Sequence, residues 1–539
     1  MKSKIFVILI LLSGMVFSQE TLQPYHWANS YIDYFIVRGD LQKLDKLNRP
    51  FSRMEITKLL LKLDLESDTF SAKEQKMLKL LLREFEFEGR QLVKEESGSG
   101  WLNLMNKAMS FLGKSKDKLG FKAGAYAIAG YNSLQMADSS FGSFQLNPRA
   151  TLSFQDILTL QLNIRIFNKA PENYIGKKFS GVYAYTEQSY LSLNTDWFGL
   201  KFGRDYMQSG PGQTGQLLFS DNSQPFDMYH VRLGKSTVQF LFWGMLMNAV
   251  STAGSPQAKF SNTADRYLNG HKLSFNIANK YRFAFSEVIL YGGANQGWDM
   301  GLVNPLMFYY GYNLNNSNFD ANIMYNFEWD LYFDNNIEFY GEFLLDDFQV
   351  EKKSPGDLEP NELGLIAGVK WGLPFGMTGS LINAEYVQVR NRTYNVKNNR
   401  WEKYLHRNQV IGYALGNNLE RYYLEYNWWA LPELKVAINA GLIRQGEGTV
   451  QGEFNTDFEN YTVEEGYDEP FPFGTVESDI HTGINVFYKP ANIGHIELDI
   501  SNHSFTNYNQ IKGNDENDLQ VRLNLWLQWD YIFNQEEDE

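Results

Sequence analysis

Apolar and polar residues alternate along many segments of this chain, most clearly over residues 519–531. Leucine, valine, tryptophan and tyrosine occupy the odd positions of that run, whereas Gln520, Arg522, Asn524 and Gln528 occupy even ones. The same period appears in residues 158–167 and 495–501. A period of two predicts β-strands with one apolar and one polar face.

Such strands recur from residue 119 to the end of the chain, and taking residues 389–418 as one loop gives about 18 of them. The predicted long connections are residues 133–145, 168–182, 205–225, 248–268, 292–318, 349–361, 389–418, 445–478 and 504–517. Short turns near residues 155, 196, 234, 278, 333, 373, 431 and 490 alternate with them. A soluble sandwich shows the same alternation, but short turns on one side and long loops on the other are typical of outer-membrane barrels.

We therefore expect a mainly β protein, an antiparallel transmembrane β-barrel of about 18 strands over residues 113–533. Residues 519–531 form its last strand and pair with the first strand near Leu119, which closes the barrel. The polar face of that last strand lines the lumen.

Residues 19–112 follow a different period and predict a small α-helical bundle. Ser52 and Ser71 are each followed three residues later by glutamate before an apolar run, which is the capping-box signature of a helix start. A third helix is predicted over residues 25–37, ended by Gly39. We place this bundle in the periplasm; the alternative is a helical plug with no partner of its own.

Export is indicated by Lys2 and Lys4 ahead of an apolar run, so residues 1–18 are interpreted as a signal peptide. No cysteine is present, and no later run approaches the roughly 18 to 20 apolar residues of a spanning helix. The formal net charge of −14 excludes nucleic acid as a partner. The predicted location is the outer membrane of a Gram-negative bacterium, with residues 534–539 as an acidic C-terminal tail.

The chain lacks the motifs of the common enzyme classes and is predicted not to be an enzyme. The seven histidines show no HExxH or paired spacing, and neither a phosphate-binding loop nor a GxSxG motif is present. Asp346 and Asp347 could share a proton as neighbours, but at the outer end of a strand they are interpreted as charges at the loop mouth. We therefore predict no catalytic residue, no metal ligand and no cofactor.

Residues 203–222 form the most distinctive segment, rich in glycine and containing Pro211. The glycines permit a tightly folded loop, and Arg204, Asp205, Asp221 and Asn222 offer polar groups that could fasten it inside the lumen. A constriction loop of the porin kind is the alternative interpretation.

The same segment resembles the outer-membrane capsule-assembly proteins called Wzi. The resemblance lies in Gly203 to Tyr206, Gly210 to Gly212 and Ser220 to Asn222, with further pieces at Arg266, Gly270, His271, Asn304, Pro305 and residues 345–349 and 384–389. It implies an 18-stranded barrel with an N-terminal helical bundle, acting as a lectin that attaches capsular polysaccharide to the cell surface. The candidate loop and glycan residues are Arg204, Asp205, Tyr206, Gly210, Pro211, Gly212, Ser220, Asp221, Asn222, Arg266, His271, Asp346 and Asp347.

A lectin needs aromatic faces for sugar rings and fixed polar groups for hydroxyls. The long loops offer Tyr174, Trp298, Tyr309, Tyr394, Trp401, Tyr461 and Tyr467, although aromatic residues at barrel rims also form the membrane-interface girdle. Residues 454–473 form an acidic, aromatic loop that departs from the family pattern, so the glycan can differ. Their carboxylates could hold calcium, but they lack EF-hand spacing.

Three functions follow as hypotheses. The first is a non-enzymatic outer-membrane protein that binds capsular or surface polysaccharide and attaches it to the cell. The alternatives are a porin or sugar-selective channel with a periplasmic tethering domain, and an accessory subunit of a larger outer-membrane complex. The expected partners are surface or capsular polysaccharide, outer-membrane lipid, and other outer-membrane or periplasmic proteins.

Overall fold

A computed structural model describes residues 20–93, 119–154, 158–170, 174–195, 197–316, 319–349, 353–491 and 493–533. The predicted signal peptide and acidic tail lie outside the described residues, as does the end of the predicted helical segment.

The N-terminal segment is helical. Its helices are α1 Ala28–Arg38, α2 Arg53–Leu65, α3 Ala72–Glu84 and α4 Glu86–Val93. Ser52 accepts a hydrogen bond from the Glu55 amide at 3.3 Å, and Ser71 forms a complete capping box with Glu74. Gly39 follows α1 with φ of 108°. Both predicted helix starts are confirmed, whereas α1 begins at Ala28, three residues later than predicted.

The rest of the described chain forms one closed antiparallel barrel of eighteen long strands, which confirms the predicted fold class. The strands are β1 Leu119–Leu134, β2 Ser139–Phe154, β3 Leu158–Phe167, β4 Val182–Asn194, β5 Phe198–Asp205, β6 Phe226–Lys235, β7 Val238–Leu246, β8 Thr263–Ile277, β9 Tyr281–Gly293, β10 Ala321–Phe333, β11 Ile337–Asp347, β12 Glu362–Gly372, β13 Ser380–Val389, β14 Leu419–Leu431, β15 Leu434–Gln445, β16 Glu477–Ala491, β17 Gly494–Thr506 and β18 Glu516–Phe533. Strand β18 pairs with β1 from Phe533 opposite Phe121 to Gln520 opposite Leu134, so the last strand closes the barrel as predicted.

Alternation gives the barrel an apolar outer face. On β18, Leu523, Leu525 and Leu527 are 43%, 42% and 43% exposed. The even-numbered residues of β18, which are mostly polar, point inward. One of them, Trp526, contacts Tyr25 of the N-terminal segment. An apolar exterior around a polar interior is the pattern of a barrel in lipid. No helix among the described residues is long and apolar enough to cross a membrane.

Short turns join the strands at one end of the barrel, and most connections at the other end are long loops. The connection between β1 and β2 is an exception at the long-loop end, because a long loop was predicted over residues 133–145 and a short turn is found. Leu134 pairs directly with Ser139, and Asp138 adopts φ of 42°, so residues 135–138 make a tight turn. The strand pattern continues through a stretch where glycine and serine suggested a loop, because pairing along the whole of β1 and β2 holds it extended.

The helices pack against the short-turn end. The Tyr31 hydroxyl donates to the Pro432 carbonyl at 2.9 Å, and the Gly379 amide donates to the Tyr34 hydroxyl at 2.9 Å. Trp429 belongs to the same buried cluster as the helical core. The helical bundle and the barrel therefore share one apolar core at this end.

Candidate functional site

The lumen is closed at the short-turn end by the N-terminal segment, which is fastened by buried ion pairs. Lys46 is fully buried, with Nζ 2.7 Å from Glu338 of β11 and 2.5 Å from Asp33 of α1. Lys370 of β12 lies 2.6 Å from Asp33. Burial alone would raise the pKa of the Asp33 carboxyl, but Lys370 and Lys46 outweigh it and hold that pKa well below its usual range.

Residues 206–225, here called the plug loop, fold into the lumen. Glu342 of β11 accepts hydrogen bonds from the Gly212 amide at 3.3 Å and the Leu217 amide at 2.8 Å. Glu385 of β13 accepts from the Gln213 and Thr214 amides at 2.6 and 3.0 Å. Two strand carboxylates therefore hold the backbone of the plug loop.

The backbone of the plug loop lies so close to the Glu342 carboxyl group that position 210 requires glycine. Gly210 has φ of 114°, and a β-carbon there would lie 2.1 Å from a Glu342 oxygen. Any larger residue would push the loop away from its acceptor.

A second loop, residues 390–418, covers the plug loop from the outer side and is here called the cover loop. The hydroxyls of Tyr394 and Tyr404 donate to the Leu217 and Leu218 carbonyls at 2.6 and 2.9 Å. Arg266 of β8 donates to the Trp401 carbonyl at 2.6 Å. The two loops share a buried apolar cluster with β6 to β14, so this half of the lumen is filled.

Most residues nominated from the sequence have partners in the filled half or at its border with β4. Asp205 accepts from Thr21 at 3.1 Å and Gln188 at 2.7 Å, while the Tyr206 hydroxyl donates to Glu187 at 2.7 Å. The remaining nominated residues buried or half-buried here are Gly210, Pro211, Gly212, Ser220, Asn222, Arg266 and Asp346. Ser220 and Asn222 bond to carbonyls of the cover loop, and Asp346 accepts from the Tyr394 amide at 2.5 Å. Their contribution to glycan binding stays a prediction.

The other four nominated residues either lie outside the filled half or have exposed side chains. Arg204 pairs at 2.5 Å with Asp227, directly opposite it on β6. His271 contacts Glu287 at 3.2 Å on the outer face of the barrel, where residues 294–316 fold over them. Asp221 and Asp347 have exposed side chains. Asp346 is half-buried whereas Asp347 is exposed, and a β-bulge interrupts the strand pairing between Leu345 and Asp347.

The other half of the lumen has an accessible polar wall, here called the open cleft. Many of its inward-facing side chains on β15 to β18 and β1 to β3 are partly exposed, although others there, such as Arg149, Asn163 and His481, are buried. The inward-facing polar side chains of β8 to β12 are almost all buried. They include Asn132, Gln145, Arg165, Asn439, Asp499, Gln520, Arg522 and Asn524. A polar cavity of about 480 Å³ lies deeper, between the plug loop and the N-terminal segment, lined by residues such as Asn29, Gln213, Lys435, Asn485 and Glu497.

Four aromatic rings stand at the outer end of the open cleft and are here called the aromatic wall: Phe167, Tyr174, Tyr183 and Tyr185. Tyr183 stacks on Phe167 with centroids 5.5 Å apart, and Tyr174 meets Tyr183 edge-on at 5.2 Å. The tyrosines are half-buried, so part of each remains accessible. Arg165 lies beside them and donates to Gln145 at 3.0 Å.

Sequence reasoning nominated only Tyr174 from the aromatic wall. Tyr183 and Tyr185 are two residues apart in a strand, so the period of two could have placed them on one face. Phe167 joins them only through the pairing of β3 with β4.

The other nominated aromatic residues divide between buried and exposed positions. Tyr309, Tyr394 and Trp401 are at most 1% exposed and cannot stack on a ligand. Trp298 is exposed and lies edge-on to Tyr229 at 5.7 Å. Tyr461 and Tyr467 lie 5.1 Å apart in the outer loop of residues 446–476.

Comparisons with known proteins agree with this architecture. A family model described as capsule assembly protein Wzi matches residues 113–526. A comparison with curated protein sequences gives no match.

Among solved structures, the chain is similar to Wzi of Escherichia coli, described as an outer-membrane, carbohydrate-binding β-barrel involved in group 1 capsule assembly. The identity is 12% and the TM-score 0.57, over 95% of this chain and 99% of that one. OprD of Pseudomonas aeruginosa aligns at 9% identity and a TM-score of 0.43, over 77% of this chain and 96% of that one. OccD3 of the same organism aligns at 11% identity and a TM-score of 0.43, over 76% and 91%.

Proposed function

The chain belongs to the capsule assembly protein Wzi family, and we propose that it is a non-enzymatic outer-membrane protein that binds surface or capsular polysaccharide and attaches it to the cell. The observation that carries this proposal is the open cleft. It opens at the long-loop end, has the aromatic wall at its mouth, and ends against the N-terminal segment. A cleft that is closed at its inner end is suited to binding a polysaccharide and not to transporting it across the membrane.

The aromatic wall supplies the chemistry that a sugar needs. Ring faces such as those of Tyr183 and Tyr185 cover the apolar side of a pyranose, while neighbouring polar groups bond its hydroxyls. Arg165 and Gln145 already contact each other, so they are held in place before a ligand arrives. Prepositioned groups lose little entropy on binding.

Binding without cleavage is proposed because the carboxylate nearest the wall is already occupied. Glu187 is fully buried and accepts from the Tyr25 hydroxyl and from Asn147 and Asn163, each at 2.9 Å. Its other oxygen accepts from the Tyr206 hydroxyl at 2.7 Å. A carboxylate with this many donors is a poor general base or nucleophile.

The test is deletion of the gene followed by complementation with variants. Deletion should release surface polysaccharide into the medium, and the unaltered gene should restore it to the cells. The double variant Tyr183→Ala with Tyr185→Ala should fail to restore it, although the protein reaches the outer membrane at a normal level.

The matched control is Tyr310→Ala, which removes an exposed tyrosine from the loop over the outer face of the barrel. It should restore attachment fully. Cell-associated polysaccharide that is unchanged by deletion would contradict the proposed function.

A further inference from the structure

Three side chains that can bind a metal ion, one aspartate and two histidines, meet on the lumen wall near the outer ends of β16 and β17. His481 and His503 are directly opposite each other in the pairing of the two strands, and Asp479 is two residues before His481. His503 Nδ1 lies 2.9 Å from Asp479 Oδ2, and His481 Nδ1 lies 3.7 Å from the same oxygen. One donor atom from each residue falls within 4.8 Å of the other two.

Two of these side chains are buried without full hydrogen bonding. Asp479 is 7% and His481 is 6% exposed. Within the described part of the chain, Asp479 Oδ1 and His481 Nδ1 have no hydrogen-bond partner. Leaving a buried polar atom unpaired costs about 1 to 3 kcal/mol, so this arrangement points to a ligand between the side chains.

The surroundings leave room for the cluster and give it access. A β-carbon on Gly441 of β15 would lie 2.5 Å from the His481 ring, so glycine is what allows the imidazole to lie there. His503 is held by Ser501 at 3.1 Å, and its side chain remains 19% exposed toward the lumen. An ion could therefore enter from the open cleft.

We propose that Asp479, His481 and His503 form a binding site for a divalent transition metal ion of the Zn²⁺ class. Imidazole nitrogen and carboxylate oxygen are ligands that Zn²⁺ accepts at about 2.0 to 2.2 Å, which puts the donors of one tetrahedral ion about 3.3 Å apart. The separations of 2.9 and 3.7 Å lie on either side of that value.

Three protein donors leave one tetrahedral position for water or a ligand in the cleft. Binding through His503 Nδ1 requires the neutral tautomer with its proton on Nε2, which lies 3.1 Å from the Ser501 hydroxyl oxygen. The site does not depend on the proposed polysaccharide function, because it is built from protein groups alone.

The test uses the full-length, tag-free protein purified in detergent, titrated with Zn²⁺ by calorimetry and with Co²⁺ by visible absorption. The expected result is one ion per chain and an absorption spectrum of tetrahedral Co²⁺. Asp479→Asn and His481→Gln should each weaken binding by about 100-fold, since each removes a ligand. His495→Gln is the matched control, because His495 also lies near a carboxylate, Glu497 at 3.6 Å, but is not part of the three-donor cluster.

Circular dichroism should show that each variant retains the barrel. If a substitution at the cluster does unfold it, protection of the unaltered protein from diethyl pyrocarbonate at His481 and His503 by Zn²⁺ gives the same answer. Failure of the unaltered protein to bind one ion, or equal loss of binding in His495→Gln, would overturn the proposal.

Discussion

The two halves of the lumen are built from similar polar residues but use them differently. On β8 to β12 the inward side chains are buried and paired with the loops and N-terminal segment, as Glu342 is with Leu217. On β15 to β18 and β1 to β3 comparable side chains, such as Arg522 and Asp499, remain partly exposed. In the filled half, buried polar groups stabilise the plug loop. In the open cleft, partly exposed polar groups remain available to a ligand. Residue type alone therefore does not separate a structural role from a binding role.

The largest effect is expected where the filled half is fastened to the helices. Lys46→Met leaves Asp33 and Glu338 buried without their shared cation, and breaking such a pair costs about 3 to 5 kcal/mol. Thermal melting of the helices, followed by circular dichroism at 222 nm, should shift to lower temperature. Lys43→Met, at an exposed neighbouring position, should leave the melting unchanged. Equal melting of both variants would show that the ion pairs do not hold the segment.

The second prediction concerns the plug loop. Glu342→Ala removes the acceptor for two buried backbone amides, and each amide left unpaired costs about 1 to 3 kcal/mol. Planar-bilayer recording should show steady current in this variant and little in the unaltered protein. Glu464→Ala, in an exposed loop, serves as control. High conductance of the unaltered protein would instead favour the channel hypothesis.

The third prediction uses pH to weaken the N-terminal segment. His26 Nδ1 accepts from the Ala28 amide at 3.2 Å, and Nε2 lies 3.2 Å from Glu84, so the neutral ring fits its surroundings. Burial lowers its pKa to about 4, from about 6.5 when unfolded. The unfolded state therefore binds the proton more readily, and stability is full above pH 6.5 and falls as pH drops toward 4.

The helices should accordingly melt at a lower temperature at pH 5 than at pH 7.5, with a loss of about 2 kcal/mol in the free energy of unfolding. His26→Gln should reduce this difference, because glutamine does not titrate. An undiminished difference in His26→Gln would assign the pH dependence to other groups.

The smallest effect is expected in the open cleft. Arg522 is exposed and donates to Asn132 at 3.1 Å. Arg522→Gln should change stability by no more than about 0.5 kcal/mol. Chemical denaturation in detergent measures this, and a loss comparable with that of Glu342→Ala would remove the distinction between the two halves.

The sequence predicted the barrel because alternation is a local property. Residues 519–531 show their two faces without any knowledge of their neighbours, and capping residues likewise located α2 and α3. The glycine-rich segment could be proposed as a lumen loop, since its backbone freedom is also a local property.

The sequence could not predict which side chains meet across the lumen or between strands, because these contacts depend on the pairing register of many strands. Nothing near Leu217 in the sequence indicates Glu342, and His481 meets His503 only through the pairing of β16 with β17. The opposite orientation of Arg266 and His271 was predictable, since an odd separation along one strand places them on different faces.

The most direct test of the central claim is the affinity of the purified protein for the polysaccharide isolated from its own cells. The account predicts that Tyr185→Ala weakens binding about tenfold, equivalent to about 1.4 kcal/mol for one lost aromatic face, while Tyr461→Ala in the outer loop has little effect. Unchanged binding in Tyr185→Ala together with a loss in Tyr461→Ala would place the glycan on the outer loop and contradict a site in the open cleft.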